Sequence, residues 1–220
     1  MRELLFKLTI ALTLTFSSSY MIPQSSSQHP IHIKTTNTTV PAAHQKTIQT
    51  LINNDSIYKE QKLTAERDSL KQELEDSVRN YIRSQFPGSK LSAKKLVDEC
   101  VNNDFDLILA LAQGQIESGF GTTGSAKRTG SVWNVGAYEN QTPRCHYSHP
   151  NESIRPYIKL IKKKYLGNHK KVKHLLNDYK DINGHKYASA GNYEAKLSSL
   201  YNYIKSSDLG KIYFKYKALL

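Results

Sequence analysis

The segment that decides the fold runs from residue 109 to residue 121 and has the sequence LALAQGQIESGFG. Together with the residues just before it, its apolar side chains recur at helical spacing, which predicts a helix with one buried face. These positions are Phe105, Ile108, Leu109, Ala112 and Ile116. We expect Asn103 or Asp104 to cap the helix, Glu117 to close it, and the glycines beside Phe120 to break it.

Glu117 is the residue of this segment that carries chemistry. Burial at the end of an apolar helix disfavours the charged form of a carboxyl group, and the negative end of the helix dipole has the same effect. Both effects predict a raised pKa, which a general acid for glycosidic cleavage needs. An ordinary surface glutamate at a helix end is the alternative interpretation.

The rest of the second half also has helical periodicity. A helix is predicted over residues 91–101, another from about Pro150, a short piece over 169–179 and a last one over 192–205. Residues 122–147 lack this period, and their glycines and alternating side chains near 132–138 predict loops with a small hairpin. The predicted fold is therefore mainly α, with a small β or irregular lobe inserted between helices.

The first half of the chain divides into three segments. Residues 1–19 place an apolar run between Arg2 and a serine triplet, which predicts a secretory signal peptide and an exported protein of the periplasm, envelope or exterior. A buried N-terminal helix is the alternative. Residues 20–41 predict a disordered linker, and residues 42–88 predict a helical extension, either a packed amphipathic helix or a coiled-coil stalk.

The charge is strongly one-sided. Residues 159–220 contain 14 lysines against 4 acidic residues, and the whole chain carries a net charge of +12. This favours an anionic partner, either nucleic acid or a polymer of a bacterial envelope. The signal peptide argues against nucleic acid, and the lysine-rich half lacks the recognition-helix features of nucleic-acid-binding proteins. A solvated surface without a partner is the alternative, and residues 207–220 are expected to form a basic C-terminal tail.

The chain has two cysteines, Cys100 and Cys145. Export would allow them to pair, and two free thiols fit the sequence equally well. Neither cysteines nor histidines show the spacing of metal ligands, so we expect no metal and no cofactor.

The segment around Glu117 resembles the signature Ala-Gln-x-x-(Leu/Ile)-Glu-Ser-Gly-(Trp/Phe)-Gly of bacterial glucosaminidases, glycoside hydrolase family 73 and its Bax-like relatives. Three later stretches resemble further motifs of that family in the same order: residues 133–136, 147–154 and 184–193. In the last of these, Ser189-Ala190-Gly191 replaces the family's Thr-Asp-Pro. The resemblance covers roughly residues 92–206 and leaves the N-terminal extension without a counterpart.

This resemblance implies a lysozyme-like catalytic domain over residues 91–206, with Glu117 as its general acid. The family places a second acid in the irregular lobe, where Glu139 lies. Glu152 is a weaker alternative, because it matches a glutamate that serves a helix N-terminus. Cleavage assisted by the substrate's own 2-acetamido group would need no second carboxylate.

Seven further residues are expected to line the substrate site. Aromatic faces pack against the apolar faces of sugar rings, and an asparagine can bond an acetamido group or a hydroxyl. Tyr187 is expected to hold the acetamido group or to stack on a sugar. Core packing is the alternative for Tyr187 and Trp133. The predicted set is Gln113, Phe120, Trp133, Asn134, Tyr138, Tyr187 and Tyr193.

The expected function is that of an endo-acting β-N-acetylglucosaminidase on the glycan strands of peptidoglycan. A muramidase or a lytic transglycosylase on the same scaffold is the first alternative, since a fold does not fix a reaction. A non-catalytic basic protein that binds the cell wall is the second. The sequence leaves the oligomeric state open.

Overall fold

The computed structural model describes residues 42–136, 145–167, 171–188 and 191–220. These residues are mainly helical and contain no β-strand, which confirms the predicted α class. The predicted signal peptide (residues 1–19) and linker (residues 20–41) lie outside the described residues. The chain divides into two compact units, residues 1–48 and 49–220. Of the first unit the structure describes only the start of one helix, and the core and the site belong to the second.

Eight α-helices can be followed in the described ranges. They are α1 (Ala42–Gln85), α2 (Ala93–Asn102), α3 (Leu107–Ser118), α4 (Ala126–Thr129), α5 (Ile154–Leu160), α6 (Val172–Leu175), α7 (Tyr193–Ser206) and α8 (Asp208–Lys217). A 3-10 turn, Pro150–Ser153, leads into α5, and a π-helical turn, Ile161–Tyr165, follows it. None of the helices in these ranges is long and apolar enough to cross a membrane.

Helix α3 is the apolar centre of the domain, and every side chain from residue 107 to residue 114 is buried. Asp106 caps it, because its carboxylate accepts a hydrogen bond from the Leu109 backbone N–H at 2.9 Å. The predicted caps were wrong, since Asn103 ends α2 and Asp104 turns the chain with a φ of +42°. At the other end Gly119 stops the helix in the left-handed conformation (φ +54°), as predicted.

The core extends beyond the predicted domain of residues 91–206. Helix α7 packs most extensively on α3, and α2 contacts both α3 and α5. The last third of α1 joins the same core through Leu74, Val78 and Ile82, which have at most 2% of their surface exposed. The end of the predicted extension is thus a packed amphipathic helix rather than a separate stalk.

Residues 207–220 do not form the predicted basic tail. They contain α8, whose Leu209, Tyr213 and Tyr216 are buried in the common core. The helical spacing of these buried positions is present in the sequence, but the net positive charge of the segment favoured a tail. The approach to α7 is close at Gly210, where a Cβ atom would overlap the backbone of Lys205.

The predicted β lobe is irregular wherever the structure describes it. Residues 119–136 form turns around α4, and left-handed backbone at Asn134 (φ +50°) and Gly136 (φ +74°) prevents an extended strand there. The rest of the predicted hairpin falls on residues 137–144, outside the described ranges. Cys100 and Cys145 are both free thiols, and Cys100 is buried.

Truncation of Leu209 tests the assignment of α8 to the domain. Because Leu209 is 6% exposed in the core, Leu209→Ala should lower the free energy of unfolding by about 2–5 kcal/mol. Leu220, at 65% exposure, is the matched control, and Leu220→Ala should change it by about 0.5 kcal/mol or less. Equal effects of the two variants in denaturant unfolding would contradict the packing of α8.

Candidate active site

Glu117 lies in the last turn of α3, and its mostly buried carboxyl group is held by two neutral donors. The hydroxyl of Tyr193, at the start of α7, donates to Oε1 at 2.6 Å. The side-chain amide of Asn134 donates to Oε2 at 3.0 Å and to the backbone carbonyl of Glu117 at 3.0 Å. This carboxyl therefore lies where three parts of the fold meet: the end of α3, the start of α7 and the irregular lobe that carries Asn134.

Burial raises the pKa of the Glu117 carboxyl above its usual range, although the hydrogen bonds from Tyr193 and Asn134 act to lower it. Glu99 shows the opposite outcome. It is also buried, but hydrogen bonds and ion pairs with Arg155 and Lys95, at 2.8 and 3.0 Å, lower its pKa. Donors without charge thus leave Glu117 able to keep its proton at a pH where Glu99 is ionised.

The local fold of the lobe directs Asn134 toward Glu117. Asparagine tolerates the left-handed conformation of this position, and its Oδ1 accepts a hydrogen bond from the Ser125 hydroxyl at 3.0 Å. Its NH₂ group therefore faces Glu117. The Ser118 hydroxyl fastens the lobe to the helix end, because it donates to the Val132 carbonyl at 2.6 Å and accepts from the Gly121 N–H at 2.8 Å.

Phe120 and Trp133 were predicted to line the cleft, and the structure buries both completely. The indole N–H of Trp133 donates to the Ala110 carbonyl at 2.9 Å, and its ring stacks on Tyr157 with centroids 4.5 Å apart. Both predicted rings lie against Gly114, where an added Cβ would be 3.1–3.2 Å from them. With no exposed surface they form the core beneath the site rather than a wall for the substrate.

The structure describes three further predicted residues, Gln113, Tyr187 and Tyr193. Gln113 is fully buried and bonded to tyrosines, so it does not have the exposed surface that the predicted substrate contact needs. Tyr193, 6% exposed, holds Glu117. Tyr187 is partly buried, stacks on Tyr179 with centroids 4.5 Å apart, and has its hydroxyl 3.4 Å from the Trp133 carbonyl oxygen.

Two predicted residues lie outside the described residues, Tyr138 and Glu139. Glu152, the weaker candidate for a second acid, is exposed and accepts hydrogen bonds from the hydroxyl and the backbone N–H of Ser148 at 2.7 and 3.0 Å. These bonds lower the pKa of Glu152. It therefore orders the entry to the 3-10 turn, which agrees with the role at a helix N-terminus that the sequence favoured for Glu152. Within the described ranges no group of three or more metal-binding side chains comes together.

Sequence reasoning missed Tyr157 and Tyr179, whose buried hydroxyls both donate to Gln113. Tyr157 stands at an apolar position of the predicted helix after Pro150. A tyrosine at a core position needs a partner for its hydroxyl, and this signal was available. Tyr179 follows α6 in an irregular segment, where no periodicity marks it.

Neither known protein-family models nor curated protein sequences give a match to this chain. The arrangement around Glu117 can supply a proton, because a mostly buried carboxyl with a raised pKa faces neutral hydrogen-bond donors that also stabilise its ionised form.

The pH dependence of stability tests the state of Glu117. A folded-state pKa above the unfolded value means that the native state loses stability as pH rises through that pKa. Glu117→Gln does not titrate, so its melting temperature relative to wild type should increase by a few degrees between pH 4 and pH 8. Glu152→Gln is the control and should show no such increase, because the pKa of Glu152 is lowered. A constant difference for Glu117→Gln over this range would contradict the assignment.

Proposed function

We propose that this chain is an exported peptidoglycan hydrolase that cuts glycan strands as an endo-β-N-acetylglucosaminidase, with Glu117 as general acid. The observation that carries the proposal is the mostly buried Glu117 carboxyl, whose raised pKa coexists with hydrogen bonds from Tyr193 and Asn134. The resemblance to glucosaminidases of glycoside hydrolase family 73 supplies the substrate class and the lysozyme-like scaffold.

In the proposed reaction, Glu117 gives its proton to the oxygen of the glycosidic bond as the bond to the anomeric carbon breaks. The electron pair leaves with that oxygen, and the sugar develops positive charge. The carboxylate that remains is stabilised at once by the two donors already in place, Tyr193 and Asn134. Water then adds to the anomeric carbon, and its proton returns to Glu117.

The positive charge on the sugar needs a nucleophile or a counter-charge. In substrate-assisted cleavage the acetamido carbonyl oxygen bonds to the anomeric carbon, and water later opens the ring that forms. This route needs no carboxylate beyond Glu117. Glu139 is the candidate for a second acid in the two-carboxylate route, and the structural description does not extend to it.

A basic surface supports a contact with anionic envelope polymers. A shallow, open depression of about 510 Å³ is lined by Asn103, Arg155, Ile158, Lys159, Lys162 and Lys163. Arg155 pairs with Glu99, and Lys162 donates to the Asn103 carbonyl at 2.6 Å. Lys159 and Lys163 are exposed and have no acidic partner in the described part of the chain. Neither Glu117 nor its donors line this depression, so we assign it to wall attachment and not to chemistry.

Replacement of Glu117 tests the catalytic proposal. Glu117→Gln keeps the shape of the side chain but cannot donate an acidic proton, so the rate of peptidoglycan digestion should fall by about 100- to 10,000-fold. Glu152→Gln is the matched control and should digest at the wild-type rate. Digestion at the wild-type rate by Glu117→Gln would contradict the role of Glu117 as general acid. A wild-type chain that binds walls but does not digest them would leave the alternative of a non-catalytic wall-binding protein, which the basic surface favours.

Mass spectrometry of the wild-type digest identifies the bond that is cut. Reducing-end N-acetylglucosamine supports the glucosaminidase assignment. Reducing-end muramic acid would instead assign a muramidase, and an anhydro-muramic end a lytic transglycosylase.

Charge reversal tests the proposed attachment surface. Lys159→Glu with Lys163→Glu should weaken retention on purified walls by about 30-fold or more at low salt, since each lysine near an anionic surface contributes about 1 kcal/mol and the new glutamates are repelled. Raising the salt should remove most of the difference, because charges are screened over about 8 Å at physiological ionic strength. Lys62→Glu with Lys90→Glu changes the net charge equally outside the basic half. Equal loss in both double variants, or binding that does not respond to salt, would contradict a local electrostatic contact.

A further inference from the structure

Gln113 lies one helical turn before Glu117 on α3, in a fully buried position surrounded by three tyrosine hydroxyls. Tyr157 and Tyr179 donate to its Oε1 at 2.5 and 2.9 Å. Its Nε2 lies 3.2 Å from the hydroxyl oxygen of Tyr193 and donates to it. The same Tyr193 hydroxyl donates to Glu117 at 2.6 Å. A continuous chain of buried hydrogen bonds therefore links Gln113 to the acid.

The direction of each bond in this chain follows from the number of hydrogens available. A glutamine side chain has one oxygen with two lone pairs and one NH₂ group. Because two hydroxyls occupy the lone pairs of Oε1, the NH₂ group is the side that faces Tyr193. The hydroxyl group of a tyrosine carries a single hydrogen, and the NH₂ group of Gln113 donates to the Tyr193 oxygen and cannot accept that hydrogen. The Tyr193 hydrogen therefore points to the carboxyl of Glu117.

Ring stacking fixes the two hydroxyls that orient the amide. Tyr157 stacks on Trp133, and Tyr179 stacks on Tyr187, each with centroids 4.5 Å apart and an interplanar angle of 11°. Rotation of the Gln113 amide would break the bonds to both tyrosines in a fully buried position, where unsatisfied polar groups are costly. The amide is thereby held in one orientation.

We propose that Gln113 is a positioning residue, whose amide fixes the Tyr193 hydroxyl as a permanent donor to Glu117. This role replaces the substrate contact that the sequence predicted for Gln113, and its catalytic meaning rests on the proposed function of Glu117 as general acid. When Glu117 gives up its proton, the carboxylate finds a donor that is already aligned, and no hydroxyl has to turn during the reaction.

The tyrosines near Glu117 allow the proposal to be tested by titrating the Glu117 carboxyl. Among the described residues, the titratable side chains that interact with it are the phenols of Tyr179, Tyr187 and Tyr193, and burial raises the pKa of each well above its usual range. They stay neutral while Glu117 titrates. With respect to these three phenols, a change in its titration in a tyrosine or glutamine variant therefore reports a change in hydrogen bonding and not a new neighbouring charge.

The experiment is an NMR titration of the ¹³C-labelled Glu117 carboxyl in the full chain, with wild type, Tyr193→Phe, Gln113→Leu and the double variant. Tyr193→Phe removes a donor to the charged form, so the pKa of Glu117 should rise. Gln113→Leu should raise it by a smaller amount, because Tyr193 is no longer held in place. The double variant should titrate like Tyr193→Phe alone, since Gln113 acts through Tyr193.

Two results would overturn the proposal: a folded Gln113→Leu variant in which Glu117 titrates as in wild type, or a shift that persists in the Tyr193→Phe background. If Gln113→Leu fails to fold, Tyr179→Phe removes one of the two hydroxyls that orient the amide. It should shift the titration in the same direction, and an unchanged titration would again overturn the proposal.

Tyr201→Phe is the matched control, because it removes another tyrosine bond to a carboxylate, to Asp106 at 2.9 Å near the start of α3. It should lower stability and leave the titration of Glu117 unchanged. The titration needs no substrate, so it tests Gln113 even if Glu117→Gln proves fully active and the proposed function fails. In an active enzyme, Gln113→Leu should slow hydrolysis about tenfold, the effect of a weakened hydrogen bond to a charged group.

Discussion

The hydrogen bond from the Tyr193 hydroxyl to the Glu117 carboxyl joins the start of α7 to the end of α3, at 2.6 Å. A carboxyl group that is mostly removed from water either ionises beside a cation or keeps its proton. The cation Arg155 beside Glu99 lowers the pKa of that carboxyl, whereas burial beside neutral donors raises the pKa of Glu117. The proposed chemistry depends on this difference, because only a carboxyl that holds its proton can pass it to a leaving group.

The surrounding fold supplies the space and the rigidity that this bond needs. Gly114 admits the rings of Phe120 and Trp133 against α3, and the left-handed Gly119 turns the chain directly after the acid. A Cβ at Gly119 would overlap the ring of Phe86. Ser118 then ties the helix end to the lobe that carries Asn134. Residues that the sequence places in one short segment thus serve packing and positioning around a single carboxyl.

The helices and Glu117 were predictable because a 3.6-residue period and a glycine stop act locally. Helix α8 was missed because the positive charge of residues 207–220 was given more weight than their helical spacing. The cap of α3 was misplaced because several capping residues precede the helix, and only the fold selects Asp106 among them. Phe120 and Trp133 were predicted to form a wall of the substrate site, but the fold buries both rings in the core. Composition does not distinguish a ring in the core from a ring in a cleft. The tyrosines around Gln113 come from residues 157, 179 and 193, and only the tertiary fold brings them together.

The most direct test of the account is the titration of the Glu117 carboxyl itself in the wild-type chain, followed by ¹³C NMR from acid to neutral pH. We predict a midpoint for Glu117 clearly above that of exposed glutamates, whose pKa is about 4.3. A midpoint at or below that value would mean that Glu117 is ionised in the resting protein. It would then have no proton to give, and the proposed role as general acid would be wrong.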